Sequence, residues 1–220
     1  MMPRPKKKEE ASEEDWLVTF SDTISLLLAF FVMLVSFSKI DIPTYEKVQA
    51  GIKKELGKQD QAPQPIFTLF NNLNAVLDGA PIEREAVQVG FDDQGIVIEF
   101  ASGSFFKPGS ADLLDTAKTT LDGISEEMQL PAYELYFIEV EGHTDDTPIA
   151  TAIFPSNWEL SAGRASTVVR YFIGNSLVPE RLKASGYADI RPKLPNRDIT
   201  GNPIPENQAA NRRIVIRLHP

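Results

Sequence analysis

Asp22 is the one charged residue between positions 17 and 38, a stretch that reads LVTFSDTISLLLAFFVMLVSFS. These 22 residues, as a helix rising about 1.5 Å per residue, cover roughly 33 Å, enough to cross the hydrocarbon core of a bilayer. A carboxylate inside such a span costs on the order of 2.5–3.5 kcal/mol, so its chemistry is the uptake of a proton or a small cation. Thr19, Ser21, Thr23 and Ser25 place hydroxyls around it. Hydroxyl oxygens are hard ligands that suit Na⁺, but they also accompany proton sites. Three plainer readings compete. The first is a cleaved signal peptide, with Arg4, Lys6, Lys7 and Lys8 as its basic end and 36–38 as a small-x-small site. Against it, the apolar run exceeds the usual length and Asp22 has no use there. The second is a buried core helix, which the length argues against. The third is a passive charge reaching the interface from one and a half turns inside the span.

A second group of chemistry-bearing residues lies far downstream. Glu141-Gly142-His143-Thr144-Asp145-Asp146 follows an apolar alternating segment. Asn157-Trp158-Glu159-Leu160-Ser161 and Arg164-Ala165 come next, and Asn211-Arg212-Arg213 precedes the last apolar segment. His143 invites a metal or catalytic role, yet the chain has two histidines in all, and His219 is next to last. No cluster of His, Asp and Glu at ligand spacing surrounds it. Asp145 and Asp146 are adjacent, so they need not face one cleft as a hydrolase pair does. On residue chemistry alone, Asp145 and Arg164 read as an ion pair tying a turn to a helix. Trp158 and Leu160 read as core or groove wall.

Composition narrows the field. The formal charge is −9, from 31 acidic and 22 basic residues, and no cysteine is present. An acidic chain with dispersed charge has no footprint for nucleic acid. The lack of cysteine excludes disulfides, thiol nucleophiles and thiolate metal sites. Neither a phosphate-cradling glycine loop nor a Ser/His/Asp arrangement stands out, and no cofactor is expected. Lysine and arginine flank the apolar run on both sides, so charge does not choose its orientation.

The elements that must position these groups follow from periodicity. Residues 1–15 are polar and charged and form a tail. The span, 16–38, places Thr19, Asp22, Ser25, Ala29, Val32 and Ser36 along one helix face. A small, polar face of this kind belongs against other helices rather than lipid, which implies a polytopic partner. Residues 43–57 read as a short amphipathic helix, with Pro43 at its start and Gly57 at its stop. Tyr45, Val48, Ile52 and Leu56 form its apolar stripe; it either lies on the membrane interface or moves beside a pore. Residues 58–65 are a polar linker. The remaining 66–220 have the length of one domain. Within it, helices are predicted over 66–77, 111–128 and 156–173. Strands are predicted over 85–91, 95–100, 134–141, 182–187 and 213–218. The order β-β-α-β-α-β-β predicts an α+β sandwich with helices on one face of a mixed sheet.

The pattern Asn157-x-x-Leu160-Ser161-x-x-Arg164-Ala165, with the Gly142-His143-Thr144-Asp145 turn before it and Asn211-Arg212-Arg213 after it, resembles the OmpA-like peptidoglycan-binding domain. The resemblance covers about 87–218. It implies that Asp145 and Arg164 hold diaminopimelate of the peptidoglycan stem peptide, with Thr144, Asn157 and Leu160 nearby. The chemistry agrees with this. The free end of diaminopimelate is a zwitterion, which calls for a fixed carboxylate and a fork-shaped cation.

Span, amphipathic helix and wall-binding domain together resemble the flagellar motor stator B-subunit family, MotB and PomB. Thr19-Phe20-Ser21-Asp22 with the apolar 26–32 is similar to sodium-driven members, and 157–161 to MotB members. The resemblance implies a homodimer with a MotA/PomA-like subunit, anchored to peptidoglycan and working without enzyme activity. It implies that Asp22 binds the permeating ion, Na⁺ in preference to H⁺, with Thr19, Ser21 and Ser25 along the path. It makes 43–57 the plug of unassembled units. It sets residues before Trp16 in the cytoplasm and those after Lys39 in the periplasm. The linker is shorter than the family pattern. A passive wall anchor in the membrane, or the stator of a non-flagellar motor, are the alternatives.

Overall fold

The computed structural model describes residues 15–37 and 65–220, which fall in two separate units. The expected plug, with Tyr45, Val48, Ile52 and Leu56, lies outside the described residues, as do nearly all of the tail and the linker.

The first unit contributes helix α1, Asp15–Phe37. Its segment Trp16–Val35 has a mean hydropathy of 2.1 and is long and apolar enough to cross a membrane. The side chains of 16–35 are all exposed within the chain.

The second unit is built on a five-stranded sheet: β1 (Val87–Phe91), β2 (Ile96–Ala101), β3 (Phe137–Gly142), β4 (Leu182–Gly186) and β5 (Arg213–His219). The spatial order is β1-β2-β5-β3-β4. Only β3 and β4 run parallel; the other neighbours are antiparallel. The predicted mixed sheet is therefore present. Alternation sorts the faces. Val89, Ile98, Ile216, Val140 and Ala184 align across all five strands on one face. Gln88, Glu99, Val215, Glu141 and Ser185 align on the other.

Helices cover the apolar face: α2 (Pro65–Gly79), α4 (Asp115–Met128) and α5 (Asn157–Gly174). Ile66, Leu69, Leu73 and Leu77 of α2 are buried at helical spacing and share one core with Leu121, Ile124, Met128, Val168 and Phe172. The α2–α4 approach is close because Gly123 has no Cβ; one there would lie 2.6 Å from Val76. The helix α5 crosses between the parallel strands β3 and β4, a connection parallel strands require.

Several predicted boundaries move. The strand predicted from 134 begins at Phe137, because Pro131–Tyr133 forms a 3₁₀ turn first. The strand predicted from 85 begins at Val87 for the same reason, after Arg84–Ala86. The helix predicted from 111 begins at Asp115: Leu113 bridges to Phe106, and the Leu114 amide donates to the Phe105 carbonyl at 2.9 Å. Two short helices were not predicted: α3 (Ser102–Phe105) and α6 (Pro205–Asn211).

Candidate wall-binding site

The site is assembled where β3 ends. At that point the parallel pair β3–β4 and the antiparallel neighbour β5 release three chain segments at one edge of the sheet. The His143 amide donates to the Arg213 carbonyl at 3.0 Å, and the Thr144 amide to the Ala188 carbonyl at 2.9 Å. Helix α5 sits directly over this edge. A Cβ on Gly142 would lie 2.1 Å from the Ser161 carbonyl oxygen, and one on Gly186 would lie 2.5 Å from the Ala162 nitrogen. Glycine at both positions lets helix and strands touch backbone to backbone. The Ser161 hydroxyl accepts from the Ala188 amide at 3.0 Å, which satisfies that N–H inside the seam.

The entry of α5 is fixed by a capping box. Ser156 accepts from the Trp158 amide at 3.2 Å, and Glu159 accepts from the Ser156 amide at 2.8 Å. The Ser156 hydrogen bond, foremost, holds the Glu159 carboxyl below its ordinary range. One helical position further round, Asn157 donates from Nδ2 to the Asp145 carbonyl at 3.2 Å and the Thr147 carbonyl at 3.0 Å. The cap thereby fastens the start of α5 to the turn that carries Asp145.

Asp145 and Arg164 are both buried, each 6% exposed. They do not form the simple ion pair that residue chemistry alone suggested. Asp145 Oδ2 accepts from Arg212 Nη1 at 2.5 Å, and Oδ1 accepts from the Thr147 amide at 3.0 Å. Arg164 donates from Nε to the Ser110 carbonyl at 2.9 Å, and its guanidinium lies over the Phe106 ring, 5.2 Å from the centroid. Burial, and then the neighbouring Arg212 charge, pull Arg164 down to about 10, while Asp145 opposes the shift. Arg164 is still a cation at neutral pH. The three charges thus share one locality, and Arg212 is the member that sequence reasoning left without a role. The motif Asn211-Arg212-Arg213 was visible; its contact with Asp145 spans 67 positions and could not be read from spacing.

Thr144 is buried, and its hydroxyl donates to the Asp145 carbonyl at 2.9 Å, shaping the turn from beneath. Leu160 is buried at the site end of α5. Trp158 is 48% exposed, so it is not a core residue. Asp146 turns away from Asp145. It accepts from Gln208 Nε2 at 2.8 Å and from Arg197 Nε at 2.5 Å, tying α6 and the 188–204 loop to the turn. The Gln208 hydrogen bond and the Arg197 charge hold its carboxyl low. Asn211 is fully buried and locks the same loop: its Oδ1 accepts from the amides of Lys193 and Leu194, and its Nδ2 donates to the Leu194 carbonyl.

His143 lies on the opposite face of the sheet edge. It is buried against Tyr187, with Nε2 3.2 Å from Glu141 Oε2. Glu141 also accepts from Arg217 Nε at 3.1 Å. Among the described residues no group of three or more acidic, His or Cys side chains is placed to hold a metal.

In the span, Thr19 donates to the Trp16 carbonyl at 2.9 Å, and Ser25 to the Ser21 carbonyl at 2.8 Å. Thr23 donates to the Thr19 carbonyl at 2.8 Å. Thr19, Asp22 and Ser25 follow one another at three-residue spacing on α1.

Known proteins share both parts of the chain. Residues 105–212 match the OmpA family, and residues 3–56 match the family described as membrane MotB of the proton-channel complex MotA/MotB. Motility protein B of Helicobacter pylori is 27% identical over 98% of this chain and 90% of its own length. A crystal structure of a putative MotB-like protein from Desulfovibrio vulgaris superposes with a TM-score of 0.59 at 30% identity, covering 69% of this chain and 92% of that one. The cell wall anchor of the type VI secretion system (T6SS) from Pseudomonas aeruginosa superposes with a TM-score of 0.55 at 27% identity, covering 67% of this chain and 94% of that one.

Proposed function

We propose a function from one premise: the chain belongs to the family of MotB-like proteins with an OmpA-like domain. On that premise it is an ion-conducting stator subunit of the bacterial flagellar motor, held in the cytoplasmic membrane by α1. Its N-terminus is cytoplasmic and its sheet domain periplasmic. It works as a homodimer with a polytopic MotA/PomA-like subunit, and 43–57 plugs the path until assembly.

The observation that carries this reading is Asp22. It lies on a helix that is long and apolar enough to span a membrane, in the same chain as a wall-binding fold. A tether needs the span and the domain but gains nothing from a carboxylate that opposes insertion. An ion that neutralises Asp22 removes that penalty and changes which packing against partner helices is favoured. Ion-by-ion cycling between two packings supplies the stroke. The domain holds the subunit to the wall, with Asp145 and Arg164 on the two charges of diaminopimelate, so the stroke turns the rotor instead of moving the stator.

Na⁺ is the favoured ion on the chemistry of the α1 hydroxyls. Ser25 donates its proton to the Ser21 carbonyl, so its oxygen can accept and could serve a cation beside Asp22. H⁺ is the alternative. The test is Asp22→Asn in cells, with swimming scored against external sodium at fixed pH. The variant is expected to reach the membrane and assemble but not to rotate, and the native chain to depend on sodium. A motile Asp22→Asn strain overturns the proposal. A native strain indifferent to sodium assigns the path to protons.

The likeness to the T6SS wall anchor favours a second reading, a passive anchor for another envelope machine. That reading predicts that Asp22→Asn leaves the machine working.

A further inference from the structure

We propose that the outer edge of β1 takes an added strand from a partner protein: an extended segment with basic residues at its ends and a bulky side chain facing Gly90. The inference rests on neither the ion reading nor the wall-binding reading.

Strands β1 and β4 are the two outer strands of the sheet, and their edges differ. β4 carries Lys183, a charge of the kind that keeps foreign strands from pairing. β1 reads Val-Gln-Val-Gly-Phe, with no charge and no proline. The hairpin register sets which of its backbone groups are free. The Asp92 amide donates to the Gly95 carbonyl at 3.0 Å, and two residues back Gly90 lies opposite Val97. Alternation then points the backbone groups of Gln88 and Gly90 at β2, and those of Val87, Val89 and Phe91 away from it. Val87 is satisfied locally: its amide donates to the Arg84 carbonyl, and its carbonyl accepts from Arg84 Nη1 at 3.2 Å. Among the described residues, the amides and carbonyls of Val89 and Phe91 have no hydrogen-bond partner.

Packing inside the domain does not call for glycine at position 90, because a Cβ there would meet nothing within 4 Å. Glycine weakens a strand, and within strands it marks places where another backbone approaches closely. Beside Gly90, on the face of the sheet away from the helices, is a hollow of about 290 Å³ bounded in part by Gln88, Val97, Glu99 and Arg217. A strand laid along β1 places one side chain over Gly90 and into this hollow.

Charge selects the partner. Glu83 and Glu85 precede β1, and Asp92 and Asp93 follow it. The cations nearby are already paired: Arg84 with Asp78, Lys193 with Glu99, and Arg217 with Asp92 and Glu141. A second copy of this chain does not suit the edge. Antiparallel pairing about Val89 sets Glu85 of each copy against Asp93 of the other, and like charges directly opposite repel. A strand with lysine or arginine at its ends meets opposite charge at both, and its main chain supplies the hydrogen bonds that Val89 and Phe91 lack.

The experiment is amide-resolved hydrogen exchange of the full chain in detergent micelles, with two synthetic peptides. Both alternate valine and threonine around a central tyrosine; one has lysine at each end and the other glutamate. At saturation the lysine peptide is expected to slow exchange at Val89 and Phe91 by about tenfold or more, with Gln88 and Gly90 far less affected because β2 already holds them. The glutamate peptide is expected to bind more weakly. Glu85→Lys, a change at an exposed side chain, is expected to weaken the lysine peptide about two- to fivefold, the value of an exposed ion pair, and to strengthen the glutamate peptide. Absence of protection at Val89 and Phe91, equal binding of the two peptides, or affinities unmoved by Glu85→Lys overturns the proposal.

Discussion

Arg212 Nη1 donates to Asp145 Oδ2 at 2.5 Å, an ion pair between residues 67 positions apart in the sequence. The pair joins the turn after β3 to the corner before β5. Asp145 is 6% exposed, whereas the Arg212 side chain is 46% exposed. The carboxylate thus depends on a partner that can itself be pulled towards solvent.

Removing that partner tests the arrangement. Arg212→Ala leaves Asp145 buried with the Thr147 amide bond and without its ion-pair partner. The expected loss is about 1.5–3 kcal/mol, the range for hydrogen bonds to charged groups. Urea unfolding of the purified chain measures it. Sedimentation with sacculi is expected to fall as far as it does for Asp145→Ala, because each change leaves the other residue misplaced. Native-level sedimentation by Arg212→Ala would show that Arg212 does not position Asp145.

The seam between α5 and the strands supplies a second prediction. Alanine at Gly142 places a methyl 2.1 Å from a backbone oxygen, which cannot rotate away. Helix and strand must separate, and overpacking of this kind costs about 1–3 kcal/mol. Gly174→Ala is the control: it lies in α5 with nothing within 4 Å of its added Cβ. It is expected to be neutral or stabilising by a few tenths of a kcal/mol, in keeping with alanine's helix propensity. Thermal unfolding distinguishes them. Similar melting temperatures for the two variants would show that the close approach carries no weight.

Much of this architecture was legible in the sequence, and the exceptions have physical causes. The apolar alternation of 96–100 and 213–218 marks β2 and β5 because one face of each strand is core. Ile66, Leu69, Leu73 and Leu77, at i, i+3, i+7 and i+11, mark α2 for the same reason. Helix α6 escaped because Pro205-Glu-Asn-Gln-Ala-Ala-Asn carries no apolar period; side-chain amides, not a hydrophobic stripe, hold it. Trp158, in the first turn of α5, is half exposed, which removes the core alternative and keeps the groove-wall one. Asp145 and Arg164 were picked out by motif, but motif gives residue types and not pairings. The pairing with Arg212 is set by sheet order, which brings β5 next to β3, and local pattern does not encode that order.

Acid should loosen the rim of the site before the core. Asp198 is lowered to about 2, chiefly by its hydrogen bond from Thr200, and Asp146 is lowered chiefly by its bond from Gln208. Carboxyls whose folded pKa lies below the unfolded value stabilise the fold above about 4, the unfolded value for Asp. That stabilisation is lost as pH falls from there towards 2. Both residues hold the 188–204 loop. Hydrogen exchange of that loop is expected to be flat from pH 7 to 5, after correction for intrinsic rates, and to accelerate below 4. Asp198→Asn should remove most of the acid dependence within the 198–202 turn. An unchanged profile in that variant would mean that other groups govern the loop.

The hydroxyls beside Asp22 separate the two candidate ions. Thr19 and Ser25 stand three residues to either side of it, and each donates its proton to a backbone carbonyl. A sodium ion requires oxygen ligands beside the carboxylate, and a proton on Asp22 does not. Thr19→Ala and Ser25→Ala are expected to raise the sodium concentration at half-maximal swimming speed several-fold, with maximal speed less affected. Thr19→Ser, which keeps the oxygen, is expected to restore the native value, whereas Thr19→Val, which keeps the branched shape without it, is not. If the driving ion is a proton, all three Thr19 variants should respond to sodium alike. A shift for Thr19→Ser equal to that for Thr19→Ala would also remove the hydroxyl from the ion's path, leaving Asp22 to act with ligands from the partner subunit.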